Sequence, residues 1–98
     1  MIKRIELPTV GEILKEEFME PYDISAYRLA KDIFVPVSRI QAILSGDRKV
    51  TVDTSIRLGK YFGLSYDYFL NIQNDLDIRN ASESMGEEFD KIKEVMYN

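Results

Sequence analysis

Residues 25–50 read SAYRLAKDIFVPVSRIQAILSGDRKV, and this stretch decides the fold. Ser25 can cap a helix by accepting a bond from a free first-turn N–H. Ala26, Leu29, Ala30 and Ile33 recur at i, i+3, i+4 and i+7, one apolar stripe of that helix. Phe34-Val35-Pro36 ends it, because Pro36 has no N–H to donate and suits the start of a new helix. Val37, Ile40, Ile43 and Leu44 form the inward stripe of a second helix, leaving Ser38, Arg39, Gln41 and Ala42 outward. Gly46 suits the position just past its end, where φ is often positive. Two short helices joined by a tight turn are the outline of a helix-turn-helix at 25–46, whose second helix reads the major groove.

Working outward, Thr9 is the expected cap of a preceding helix at about 10–20. Ile13, Leu14 and Phe18 give that helix an apolar side, and Glu12, Lys15, Glu16 and Glu17 a wet one. Residues 1–8 read as an arm. On the other side, Asp47-Arg48-Lys49-Val50 is a short loop with two adjacent bases, well placed for backbone phosphates. Thr51 is expected to cap a fourth helix with Ser55, Leu58, Gly59 and Phe62 inward. Gly59 within that stripe predicts a close helix–helix approach, and Gly63 a left-handed stop. Ser65 is expected to cap a fifth helix at about 65–78, whose apolar residues Tyr66, Phe69, Leu70, Ile72, Leu76 and Ile78 are spread too widely for one core face. The surplus predicts an interface. Residues 80–98 form a tail with loop-like Ser82, Ser84 and Gly86, then a thin stripe of Phe89, Ile92 and Met96.

The chain has 98 residues and a formal net charge of −4, with no Cys and no His. That length predicts one domain spanning 1–98. The missing Cys and His remove disulfides, the usual zinc sites and Cys–His or Ser–His nucleophile pairs. No metal and no cofactor are expected, and no clustered carboxylate pair suggests an enzyme. No apolar run is long enough to span a bilayer, and the first residues lack a signal core, which predicts a cytoplasmic protein. The acidic total hides an uneven distribution. Residues 25–50 hold five bases against two acids, while residues 1–24 hold three against six and residues 71–98 three against seven. The helix-turn-helix is the net-positive segment, and screening beyond ~8 Å lets it act on an acidic chain.

Five helices, with the helix-turn-helix as the second and third, resemble the all-α Cro/C1-type (XRE, lambda-repressor-like) repressor fold. The segments GEILKEEF (11–18), SAYRLAKDI (25–33), SRIQAILSGDRKVTVDTSIRLGKYFG (38–63) and FLNIQNDLDIR (69–79) are similar to the HigA-type antitoxins of bacterial toxin–antitoxin modules. The resemblance implies a homodimer that binds double-stranded operator DNA, represses its own operon, and neutralises a RelE/HigB-like mRNA endoribonuclease toxin. It implies base-facing roles for Val37, Ser38, Arg39, Gln41 and Ala42. Gln41 suits adenine, Arg39 guanine or phosphate, and Val37 and Ala42 a thymine methyl. Ser25, Tyr27, Lys31, Arg48 and Lys49 are the expected phosphate contacts. Dimers of this fold meet through the fifth helix, which assigns Tyr66, Phe69, Leu70, Ile72 and Gln73 to the interface.

Two positions depart from the family pattern. Phe34 stands where the turn usually carries a small residue, often Gly, because positive φ is preferred there. A bulky residue is expected to cost strain or to shift the turn. Leu7-Pro8-Thr9-Val10 replaces the usual His-Pro pair, so no role of that His carries over. The second reading is an XRE-type repressor, of phage or chromosomal origin, without a toxin partner.

Overall fold

The structure, a computed structural model, describes residues 6–95. Among these residues it is all α, with five helical segments and no strand. Helix α1 (Val10–Ile13) runs directly into a π-helical turn (Leu14–Met19) and a 3-10 turn (Glu20–Tyr22). Helices α2 (Ala26–Ile33), α3 (Val37–Ser45), α4 (Val52–Phe62) and α5 (Tyr68–Asp90) follow.

Three helix starts are the expected ones. Thr9, Ser25 and Thr51 each accept a first-turn backbone N–H, from Glu12 at 3.1 Å, Arg28 at 3.1 Å and Thr54 at 3.3 Å. The helix ends share one device. A residue with φ near +54 to +86° follows the last turn at Asp23, Phe34, Gly46 and Gly63. In each case the next N–H reaches back five residues: Ile24 to Met19, Val35 to Ala30, Asp47 to Ala42 and Leu64 to Gly59. This Schellman closure satisfies carbonyls that a helix end would leave unpaired.

The core joins all the helices. Val10, Leu14 and Met19 meet Leu29, Ala30 and Ile33 of α2, Ile40 and Ile43 of α3, Leu58 of α4 and Phe69 of α5. Phe18 packs between Phe62, Tyr68 and Phe69, with ring centroids 5.2–5.8 Å away. Such tilted and edge-on arrangements suit aromatic quadrupoles. The π turn explains how two consecutive residues, Phe18 and Met19, both turn inward. The wider turn, closed by Glu20 N–H on the Lys15 carbonyl, shifts the stripe by one residue. Simple 3.6-residue periodicity hides that shift.

Gly59 is close-packed, but not against another helix. A Cβ there would lie 2.6 Å from the Ser65 carbonyl oxygen, so the partner is the chain entering α5. The helix–helix approach is made by Gly11, where a Cβ would collide with the Ile43 carbonyl of α3.

The fifth helix differs most from expectation. Its cap is not Ser65. The helix begins at Tyr68 after Asp67, which makes no side-chain cap bond. Ser55, fully buried in α4, serves this end instead. Its hydroxyl donates to the Tyr66 carbonyl at 2.6 Å and accepts the Leu70 N–H at 3.3 Å. At the other end, Ser82, Ser84 and Gly86 do not form a loop. Helical residues continue through them to Asp90, but non-helical backbone at Met85 (φ −125°, ψ 20°) kinks the run beside Gly86 and makes it two helices end to end. The chain is therefore elongated, with extents of 54 × 39 × 21 Å. Met96 of the expected tail stripe and residues 1–5 of the arm lie outside the described residues.

Candidate nucleic-acid interface

The turn between α2 and α3 is built on Phe34. Its backbone adopts φ 62°, ψ 46°, the left-handed region expected here, and its ring is 85% exposed. The turn is not shifted. The Phe34 and Val35 N–H groups still close on Lys31 and Ala30. The chain keeps the tight turn and bears the strain of a side chain in it.

Helix α3 then shows two faces. Ile40 and Ile43 are buried, and Val37 and Leu44 are half-buried against the core. Ser38, Gln41 and Ser45 are exposed at i, i+3 and i+7, with half-buried Ala42 beside them. Of the expected base-facing residues, Ser38, Gln41 and Ala42 therefore share the outer face. Val37 does not. It belongs to the inward stripe that its spacing also predicted, because it packs half-buried against the core. Ser45 is a member that the sequence reading missed, although it continues the spacing of Ser38 and Gln41. Its hydroxyl donates to the Ala42 carbonyl and to Asp47. Pro36 precedes α3 without a side-chain cap bond, and the Arg39 N–H closes the first turn on the Pro36 carbonyl at 3.0 Å.

Arg39 also leaves the outer face. Its Nη1 lies 3.0 Å from Asp53 Oδ2, in the first turn of α4. Arg57 Nε lies 3.0 Å from the same oxygen, and Arg57 Nη1 donates to the Ile33 carbonyl at 2.9 Å. One carboxylate thus ties the start of α3 to α4, and through Arg57 to the end of α2. The Arg57 hydrogen bond, followed by the charges of Arg57 and Arg39, holds the Asp53 carboxyl below the usual carboxylate range despite some desolvation. Arg39 Nε is buried without a hydrogen-bond partner among the described residues. Arg39 is therefore a brace between helices in this structure.

The expected phosphate contacts fall into two groups. Ser25, Tyr27 and Lys31 are exposed on α2 or its cap, with Tyr27 at 71%. Ser25 uses an acceptor lone pair for its cap, which leaves its hydroxyl proton to donate. Arg48 and Lys49 are exposed on the loop after α3. Lys49 Nζ is engaged by Asp77 of α5 at 2.9 Å, whereas Arg48 has no acceptor among the described residues.

Two of the residues assigned to an interface on α5 point inward. Phe69 is fully buried in the core, and Gln73 is 7% exposed. Leu70 and Ile72 are half-buried, and Tyr66 is exposed. The core wraps more of this helix than its apolar spread suggested. Exposed apolar side chains lie further along, at Ile78, Met85 and Phe89, with Ile92 and Val95 beyond the helix. No group of three or more His, Cys, Asp or Glu among the described residues could hold a metal ion. None of the described helices is long and apolar enough to cross a membrane.

A helix-turn-helix family, HTH_3, matches residues 15–69. Virulence-associated protein I of Dichelobacter nodosus is 41% identical over 80 residues, covering 80% of this chain and 74% of that protein. A HigA-family addiction module antidote protein from Coxiella burnetii superimposes with a TM-score of 0.80 at 37% identity, over 97% of this chain and all of that one. The antitoxin HigA of Pseudomonas aeruginosa, solved with the higBA promoter, superimposes with a TM-score of 0.82 at 30% identity, over 91% and 98% of the two chains.

Proposed function

We propose that this chain, which belongs to the HTH_3 helix-turn-helix family and to its HigA-like antitoxin branch, is an operator-binding autorepressor and toxin antagonist. The family is one of DNA-binding regulators and antitoxins, not of enzymes. The observation that carries the reading is the outer face of α3. Ser38, Gln41 and Ser45 stand exposed on a rigid helix, followed at once by the exposed Arg48. Such a helix fits the major groove, where Gln41 can pair with adenine and Ser38 with any base. The tyrosine and serine at the start of α2, with Lys31 and Arg48, suit the flanking phosphates. With few long side chains on this face, groove shape contributes to the choice of site.

The active species is a homodimer in the cytoplasm. Each copy then places one α3 in a half-site, and two weak grips combine. The second copy covers the exposed apolar side of α5, with Tyr66 and Leu70 nearer the domain and Ile78, Met85 and Phe89 beyond it. The toxin partner is a RelE/HigB-like mRNA endoribonuclease encoded beside the chain. Resemblance to HigA antitoxins supports this last step.

Two measurements test the proposal. Gel shift with the promoter upstream of the chain's own gene should show a specific complex that Ser38→Ala plus Gln41→Ala weakens by ~10-fold or more. Unchanged affinity would refute the recognition face. Co-expression with the neighbouring small basic reading frame, then pull-down, should recover a complex and relieve its toxicity. No complex would leave an operator-binding regulator without a toxin.

A further inference from the structure

The loop after α3 is held from two sides. On the α3 side, the Asp47 and Arg48 N–H groups both donate to the Ala42 carbonyl, at 2.9 and 3.1 Å. On the other side stands α5. Gln73 Oε1 accepts the Val50 N–H at 2.7 Å, and Gln73 Nε2 donates to the Val50 carbonyl at 2.9 Å. The side-chain amide pairs with that one residue's backbone as a neighbouring strand would. Both groups are buried, with Val50 at 3% exposure, so water does not compete for these bonds. One turn further along α5, Asp77 holds Lys49. The short loop between these anchors carries Arg48, exposed and without an acceptor among the described residues.

We propose that Gln73 is a positioning residue for DNA binding: it sets the backbone of the 47–50 loop so that Arg48 meets a phosphate when α3 enters the groove. The proposal rests on the operator-binding reading given above. The buried, bidentate amide stands on α5, away from the exposed face of α3, and fixes a loop that is already short. Its geometry is explained when the loop's exposed cation must arrive at one place. A bond made to backbone, not to a side chain, fixes the loop whatever its sequence. The same helix extends outward into its exposed apolar half, so the phosphate-contacting loop is mechanically joined to the surface offered to a second copy.

The test uses the full chain and a duplex from its own promoter, with anisotropy titrations over a range of salt. Arg48→Ala should weaken binding and lower the slope of log K against log salt by about one, the loss of one phosphate contact. Gln73→Met, of similar volume but without the amide, should produce the same reduced slope. Combining the two should add nothing further, because both remove one contact. Gln73→Asn, polar but too short to reach both Val50 groups, serves if Gln73→Met melts below the assay temperature, and the same loss of slope is expected. A wild-type slope in the Gln73 variant that folds, or fully additive losses in the double variant, would overturn the proposal while leaving operator binding intact. Failure of the wild-type chain to prefer its promoter over a scrambled duplex would instead overturn the operator reading on which it rests.

Discussion

Arg39 Nη1 lies 3.0 Å from Asp53 Oδ2, so its guanidinium leaves the exposed face of α3 and braces that helix against the next. The same oxygen receives Arg57. Because the Asp53 carboxyl is held below its ordinary pKa, its contribution to stability is fully present above the unfolded value, about 3.9. That contribution is lost as the pH falls through the lower, folded value. Asp53→Asn should therefore lower the melting temperature at pH 7, and the gap to wild type should narrow as the pH falls below about 4. Thermal melts at a series of pH values check this. A gap independent of pH would mean that the carboxylate charge is not what braces the helices.

Phe34 gives a prediction of opposite sign. A non-glycine residue in the left-handed region costs about 1–2 kcal/mol, and the exposed ring recovers little of that by burial. Phe34→Gly should stabilise the chain by about 1 kcal/mol, after the greater freedom of the unfolded glycine is deducted. Urea melts should show a higher midpoint at an unchanged slope. Operator affinity should be unaffected, because the turn already has the geometry that glycine would adopt.

Much of this architecture is legible in the sequence because its signals are local. Caps at Thr9, Ser25 and Thr51, and the stops at Gly46 and Gly63, act within a few residues of themselves. The stripes of α2, α3 and α4 likewise repeat at helical spacing and are buried or half-buried against the core as they predict. What was not legible depends on partners distant in the chain. Ser65 has the right chemistry for a cap, yet Ser55, in the preceding helix, does that work for α5. Gln73 has a polar side chain on an apolar helix, which reads as a surface position until Val50 is placed against it. Arg39 lies next to Ser38 in sequence but points toward an acid fourteen residues on. Of the five residues expected to be base-facing on α3, Ser38, Gln41 and Ala42 lie on its outer side, while Val37 packs on the core and Arg39 pairs with Asp53.

Gly11 separates close packing from backbone freedom. It is helical, so no special φ is required, but a Cβ would strike the Ile43 carbonyl of α3. Gly11→Ala should push α1 from α3 and cost about 1–3 kcal/mol, the usual range for overpacking. Gly86 is the matched control. It is also in a helix, and a Cβ there meets nothing. Gly86→Ala should stabilise by about 0.5–1 kcal/mol through helix propensity alone. Equal effects at the two glycines, read by chemical denaturation, would show that α1 does not pack as tightly as the structure places it.

The exposed half of α5 makes the last prediction. Ile78, Met85 and Phe89 are exposed by 63%, 49% and 41%, and fall at i, i+7 and i+11. The backbone kinks at Met85, with Ile78 before the kink and Phe89 after it, and together they form the exposed apolar overhang that a second copy would cover. None of the three belongs to the domain core. Met85→Glu with Phe89→Glu should therefore leave the helix-turn-helix folded, with a melting curve that shows an intact core. The charges would be buried against a partner copy without counter-ions, so the dimer should dissociate. Sedimentation should then report a monomer. Operator affinity should fall by about 10²-fold or more, because two linked half-site contacts become one. Retention of the dimer would return the interface to the half of α5 nearer the core, around Tyr66 and Leu70, and the apolar overhang would need another occupant.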